Sequence, residues 1–212
     1  MQEETATRTR VRNRRGEGGR LRDEIVTAAV ELLDESGEES AVTLRSVARR
    51  AGIAAPSIYR HFPDQPAIML AVVRNAFTEL DEQLRAARDS AADTPRARLL
   101  ALCQGYLEFA RTRPGRYRAM FAGVWIPDLT RASITEQDMA ALGQDTLALL
   151  TGAVTDCVTA GCATSTDARA DTVALWLGLH GLAHQRMVSP SFPWPPDIAE
   201  RVITGLAHLT ES

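Results

Sequence analysis

Residues 43–62, TLRSVARRAGIAAPSIYRHF, carry four arginines (Arg45, Arg49, Arg50 and Arg60) and no carboxylate, a local charge of +4. Arginine presents a planar fork of donors that stays protonated and matches phosphate oxygens and the major-groove edge of guanine. Arg45 and Arg60 are therefore candidate contacts to DNA, Arg60 as a reader of guanine. The hydroxyls of Thr43 and Tyr59 and the ring of His61 suit phosphate oxygens. Ala55, Pro56 and Ser57 are small enough to meet base edges, touching thymine methyls or making single hydrogen bonds. No H-E-x-x-H helix, nucleophile elbow, paired-carboxylate array or phosphate-cradling glycine loop occurs, and Cys103 has no recognisable partner. Neither an enzymatic reaction nor a cofactor is expected.

Such side chains need a rigid mount. Thr43 opens a short helix over 44–51 with Leu44, Val47, Ala48 and Ala51 on its apolar face. Gly52 stops it, and a further helix is expected over about 54–61, ahead of Phe62-Pro63-Asp64. Leu44, Val47, Ile53 and Ile58 would lock this pair, leaving Ala55, Pro56, Ser57, Tyr59 and Arg60 facing outward. Two brief helices joined by a glycine turn make a helix-turn-helix, whose second helix can enter the major groove while the first lies across the backbone.

Around this pair the pattern is helical throughout. Leu21, Ile25, Ala28, Leu32 and Leu33 mark an amphipathic helix ending at Gly37. A long helix is expected over about 65–88. The signals Asp93-Thr94-Pro95 and Arg113-Pro114-Gly115 bracket the next, and a short one follows over 114–121. Ser133-Ile-Thr-Glu136 has capping-box order before a long helix to about Gly161. The last two helices, about 167–187 and 196–209, flank the loop SPSFPWPP. No segment alternates with a period of two over strand length, so the fold is expected to be all-α with about nine helices. The division expected is a flexible arm at 1–19, a helix-turn-helix domain at 20–65 and a larger helical effector-binding and dimerisation domain at 66–212.

The order T-x-R-x-V-A-x-x-A-G-I-x-x-x-S-I-Y-x-H-F, read from Thr43 to Phe62, resembles the N-terminal signature of the tetracycline-repressor (TetR) family over about residues 20–70. The resemblance implies a three-helix DNA-binding domain, a larger helical domain that binds a small molecule, and a homodimer that represses transcription. One departure concerns the recognition helix. The family usually caps it with serine, where this chain has Ala54, followed by Ala55 and Pro56 in place of a more typical lysine and glycine. Losing the cap hydroxyl costs about 1 kcal/mol, and Pro56 partly offsets this by presetting φ in the first turn. The family's operator sequence therefore does not carry over.

In the larger domain the effector site is expected among Cys103, Tyr106, Tyr117, Phe121, Trp125, Trp176 and His180, since ligand sites between bundle helices are mostly apolar with a few polar groups. Tyr106, Trp125, Trp176 and His180 each combine a large surface with a hydrogen-bonding group. Trp176-Leu-Gly-Leu-His180-Gly181 resembles a W-x-x-x-H-G element of one class of TetR-family C-terminal domains. That architecture implies a four-helix dimer interface from the last two helices, with Gly178, Gly181 and Ala183 permitting close approach. His180 and His184 lie four apart, the spacing of a metal pair, but no carboxylate or cysteine completes a set, and core or interface histidines are expected. A metal-responsive regulator using these two, or a DNA-binding dimer without an effector, are the alternatives.

The 212 residues are 45% hydrophobic and 24% charged, with 24 basic side chains that are all arginine and a net charge of −3. That balance excludes a protein that coats nucleic acid indiscriminately, though not a local basic face. Three cysteines, Cys103, Cys157 and Cys162, have no framework spacing, so free thiols in a reducing cytoplasm are expected. The longest apolar run, 67–73, is too short to span a bilayer, and no signal peptide is expected. Residues 8–22 hold seven arginines against one glutamate, +6, either a solvated tail or an arm for phosphates and the minor groove. If the arm binds, deleting residues 1–19 flattens the salt dependence of DNA affinity; an unchanged slope in a salt titration would leave the arm with no DNA role.

Overall fold

The computed structural model describes residues 18–121 and 125–210, and the regular elements among them are helical. In chain order they are α1 (Gly18–Ser36), a 3-10 turn (Glu39–Ala41), α2 (Leu44–Arg50), α3 (Ala55–Ile58), α4 (Gln65–Asp89), α5 (Pro95–Thr112), α6 (Pro114–Phe121), α7 (Glu136–Ala140), α8 (Gln144–Thr159), α9 (Ala168–Val188) and α10 (Ile198–Leu206). An isolated antiparallel bridge joins Ala163 to Leu209. The arm expected over 1–19 lies outside the described residues as far as 17, and Gly18 and Gly19 open α1.

The helix ends follow local chemistry. Thr43 caps α2 reciprocally with Ser46, each side chain serving the other's backbone N–H. At the far end Gly52 takes φ +64, while Ile53 N–H donates to the Ala48 carbonyl and Gly52 N–H to that of Arg49. This six-to-one and five-to-two pairing turns the chain sharply toward α3. Helix α3 is shorter than the 54–61 expected. Ala54 offers no side-chain cap, and Phe62 precedes a proline, which disfavours helical φ/ψ. Residues 59–61 therefore continue as turns, with Phe62 N–H still reaching the Ile58 carbonyl at 2.9 Å.

Two expectations in the second half need correction. The capping box lies at Thr135 and Asp138, two residues later than Ser133 and Glu136. Ser133 instead donates its N–H and hydroxyl to Asp64, at 2.7 and 3.0 Å, while Asp64 also caps α4 through Ala67 N–H. The helix expected to run from there to Gly161 is broken into α7 and α8 at Gly143, which has φ +72. A Cβ at that position would stand 2.7 Å from the Phe77 ring, so both the backbone turn and the approach of α4 require glycine.

Buried side chains form two apolar clusters. One joins α1, α2, α3 and the first half of α4, with Ile25, Val47, Ile58, Phe62 and Ile68 fully buried and Trp125 and Ile134 added from the connection. The other joins the second half of α4 to α5, α6, α8, α9 and α10. The domain limit expected at 65/66 is the start of α4, and this helix contributes to both clusters. Between α9 and α10 the packing is tight at Gly178, where a Cβ would collide with the Leu206 side chain. Gly178 thus serves contact within the chain and Ala183 is buried in the core, leaving Gly181 on open surface.

Gly143→Ala is expected to destabilise the protein by about 2–3 kcal/mol, the sum of left-handed backbone strain and the ring clash. Gly161→Ala, where φ is +74 with nothing within 4 Å of the added carbon, should show only the strain of about 1–2 kcal/mol. Urea unfolding of the two variants measures the difference, and equal losses would remove the Phe77 contact from the explanation.

Candidate functional site

The basic helix pair is built as its apolar pattern requires. Val47 and Ile58 are fully buried and Leu44 and Ile53 partly so, fixing α3 against α2. Ala55, Pro56, Tyr59 and Arg60 are exposed, Tyr59 to 54%, while Ser57 and His61 are half-buried. The four arginines are not equivalent. Arg50 donates to Glu35 at 2.8 and 2.5 Å and to Glu31 at 3.3 Å, which ties α2 back to α1 and neutralises its charge in place. Arg45, Arg49 and Arg60 are exposed and form no ion pair among the described residues. Thr43 is exposed at the head of α2 with its hydroxyl engaged with Ser46. The surface left free is thus three unpaired guanidinium groups around a short helix of small side chains.

A second site lies in the helical body. A cavity of about 170 Å³ is lined by α4 (Phe77, Leu84), α5 (Leu102, Cys103, Tyr106), Phe121 at the end of α6, residues 142–150 and α9 (Trp176, Leu179). Its lining carries no charged side chain. Phe121 is the hub of the wall, with ring contacts to Phe77, Tyr106, Tyr117, Trp176 and His180 at centroid distances between 5.1 and 6.2 Å. Burial pushes the Cys103 thiol well above its ordinary range, which makes it an inert apolar group here.

Behind that wall is a polar cluster. Tyr117 Oη lies 2.7 Å from His180 Nδ1, and Tyr106 Oη lies 3.4 Å from both Tyr117 Oη and the same ring nitrogen. Burial pushes the Tyr117 hydroxyl up to about 12 and Tyr106 higher still, so both are protonated donors at neutral pH. Burial first, and the neighbouring His184 second, hold His180 below the ordinary histidine range. The neutral ring can then accept from Tyr117 at Nδ1, with its own proton on Nε2.

Helix α6 connects the two sites. Its Arg116 is mostly buried and donates to Asp34 of α1 at 2.9 Å, and also to Glu79 of α4. The next residue, Tyr117, holds His180, and the helix ends in Phe121 at the cavity.

Of the effector candidates, Cys103, Tyr106, Phe121 and Trp176 line the cavity, and Tyr117 and His180 stand one layer behind. Trp125, expected among the cavity residues, is instead buried in the N-terminal cluster, which also takes in Ile134. His184 is exposed while His180 is committed to Tyr117, and no group of three potential metal ligands gathers among the described residues. Two features were not anticipated. Arg116 carries no local signal, since its partners are 82 and 37 residues away. Asp81, buried on α4 and bonded by the Thr146 hydroxyl at 2.6 Å, is visible in the sequence as an acid at a core-facing step between Phe77 and Leu84.

Fold and sites together define an all-helical protein with a helix-turn-helix head and a cavity-bearing body. A model for the C-terminal domain of tetracycline-repressor-like proteins matches residues 99–209, and one for bacterial regulatory proteins of the tetR family matches residues 25–72. The chain belongs to the TetR family of transcriptional regulators. The HTH-type transcriptional regulator BetI of Stenotrophomonas maltophilia is 26% identical over 121 residues, 57% of this chain and 58% of that protein. The chain spans about half the length of the curated relatives it matches. A protein of unknown function from Rhodococcus sp. RHA1 superimposes with a TM-score of 0.72 at 25% identity, covering 92% of this chain and 95% of that one. FadR of Bacillus subtilis, solved with stearoyl-CoA, superimposes at 0.67 and 17% identity, covering 89% and 99%. Among the described residues no helix is long and apolar enough to cross a membrane.

The lowered pKa of His180 sets a pH dependence of stability. The unfolded chain takes up this proton near pH 6.5 and the native state only at lower pH, so the contribution is whole well above 6.5 and is lost progressively as pH falls from there through the lower native value. The urea midpoint should therefore drop more steeply on acidification below about pH 7 in the parent than in His180→Asn. Parallel curves would show that His180 titrates alike in both states.

Proposed function

We propose that this chain is a ligand-responsive transcriptional regulator, most simply a repressor, which binds a palindromic or near-palindromic operator as a homodimer in the cytoplasm and is released by a small molecule held in the body cavity. Two recognition helices on a symmetric dimer would meet successive major grooves about 34–36 Å apart. Ala55, Pro56, Ser57 and Arg60 face the bases in this reading, and Thr43, Arg45, Tyr59 and His61 the phosphates. Dimerisation uses the outer face of α9 with α10, where Val173, Leu177 and Val188 are exposed at helical spacing around Gly181.

The observation that carries the response to a ligand is α6, one helix of eight residues with its cavity-lining Phe121 at one end and its hold on the head, Arg116 to Asp34, near the other. An occupant that displaces Phe121 must shift or strain this helix, and with it the position of α1. A ligand acts by favouring one of two head positions over the other, so this coupling needs only a differential affinity. The cavity's size favours a compact effector. At about 170 Å³ it is close to the roughly 150 Å³ that admits benzene and below the roughly 300 Å³ where drug-sized sites begin. A long acyl chain of the sort solved with FadR would require the helices to part.

Fluorescence anisotropy with the chain's own promoter region against random DNA tests the reading, and equal affinities would sink it. Arg60→Ala should weaken operator binding by roughly tenfold and relax discrimination at the guanine it reads, and Arg45→Ala should reduce the salt slope by about one. Arg50→Ala should leave that slope nearly unchanged, since its charge is already met by Glu35. Arg116→Met should leave operator binding intact while blunting effector-driven release; full release in this variant would remove α6 from the coupling.

A further inference from the structure

Thr146 lines the cavity at the end of the wall formed by residues 142–150 that faces α4 residue Phe77. A second, more open hollow of about 260 Å³ adjoins it, and the two share Phe77, Leu142, Gly143 and Thr146 as lining. Asp81 faces this hollow, 8% exposed. Its one side-chain partner is the Thr146 hydroxyl at 2.6 Å, and among the described residues it forms no ion pair. A carboxylate so far withdrawn from water is costly unless a cation or several donors meet it.

The polar side chains around Asp81 do not supply that cation. Arg74, the basic residue lining the hollow, is committed to Asp138 of α7 at 2.7 Å. Thr78 gives its hydroxyl proton to the Arg74 carbonyl and Thr146 gives its own to Asp81. Asp145, also in the lining, adds a second carboxylate. What these side chains offer an incoming group is therefore acceptor oxygens and negative charge, beside an apolar chamber of aromatic scale. The backbone N–H groups in the first turn of α8 have Asp145 in that turn, so Asp81 is not needed as the sole counter-charge to that helix end.

We infer that the effector is an amphiphilic amine, with its apolar body in the cavity and its ammonium group at Asp81 and Thr146. This rests on the cavity being the effector chamber. It assigns Asp81 as the residue that selects for charge, a role distinct from the aromatic wall.

Three probes of matched shape separate the possibilities: phenethylamine, phenethyl alcohol and phenylacetate, titrated calorimetrically into the full chain. The amine is expected to bind about tenfold or more tighter than the alcohol, as a charge-assisted hydrogen bond in a desolvated site should, and phenylacetate not detectably. In Asp81→Asn the amine should lose that advantage and bind like the alcohol, while the alcohol itself is little changed. A parent that binds amine and alcohol alike overturns the assignment and leaves the chamber standing. A parent that binds none of the three removes the chamber, and the assignment with it. Should Asp81→Asn fold poorly, Thr146→Val provides the second variant: it strips the ammonium group of one of its two oxygen partners and should narrow the amine's advantage over the alcohol, and an undiminished advantage would overturn the assignment. If a well-folded Asp81→Asn keeps the full preference for amine, Asp81 serves only the α4–α8 packing and the inference falls.

Discussion

Two apolar cores share one helix, and most of the architecture follows from that. At 25 residues, α4 is about 37 Å long at the usual helical rise, with Ile68, Met69 and Val72 in the head's core and Leu80 and Leu84 in the body's. A straight helix resists bending because its carbonyls and N–H groups are saturated by one another, so the head cannot reposition independently of the body's first wall. Its entry point is fixed by Asp64, which serves Ala67 of its own helix and Ser133 of a distant connection at once. The single carboxylate registers α4 against the segment that leads into α7 and α8.

Around this shared rod, α6 is the element with freedom to report. Its attachments differ in kind at the two ends. Arg116 makes charge-assisted bonds to Asp34 and Glu79, directional and tolerant of small rotations. Phe121 makes ring contacts, short-ranged and sensitive to volume. An occupant of the cavity acts on the second kind, and the displacement is delivered through the first. Packed interiors do not deform smoothly, and an aromatic hub with five neighbours has few alternative arrangements, a physical basis for two discrete states.

The head was legible in the sequence because its determinants are local. Thr43 at the cap, Gly52 at the turn and the alternation of Val47, Ile58 and arginines lie within twenty residues, and each acts on its immediate neighbours. Helix α6 was legible for the same reason, bracketed by Pro114 and the end of its apolar face. The break at Gly143 was not, since a glycine in an otherwise helical run reads as tolerated until the Phe77 ring is placed against it. Trp125 was assigned to the cavity on residue type alone, and nothing in the residues beside it tells the two cores apart. Cys103, Tyr106, Phe121 and Trp176 converge as their helical faces suggest, whereas Arg116 owes its setting to partners more than thirty residues distant, which no spacing rule encodes; for Asp81 the core-facing step is readable between Phe77 and Leu84, but the Thr146 partner is not.

The segment closing the body has a consequence for the order of folding. Leu209 pairs with Ala163, Thr210 N–H donates to the Cys162 carbonyl, and the Thr210 carbonyl accepts from Arg96 near the start of α5. The body's core also counts Ile203, Ala207 and Leu209 among its buried members, whereas the head's core is complete once Ile134 has been made. On a ribosome the head can therefore be finished while the body still lacks its final layer. At a synthesis rate of about 5–20 residues per second the interval is roughly 4–15 s. Until α9 and α10 are added, the aromatic wall of the body lacks Trp176 and its last apolar layer, while every buried residue of the head's core is already present.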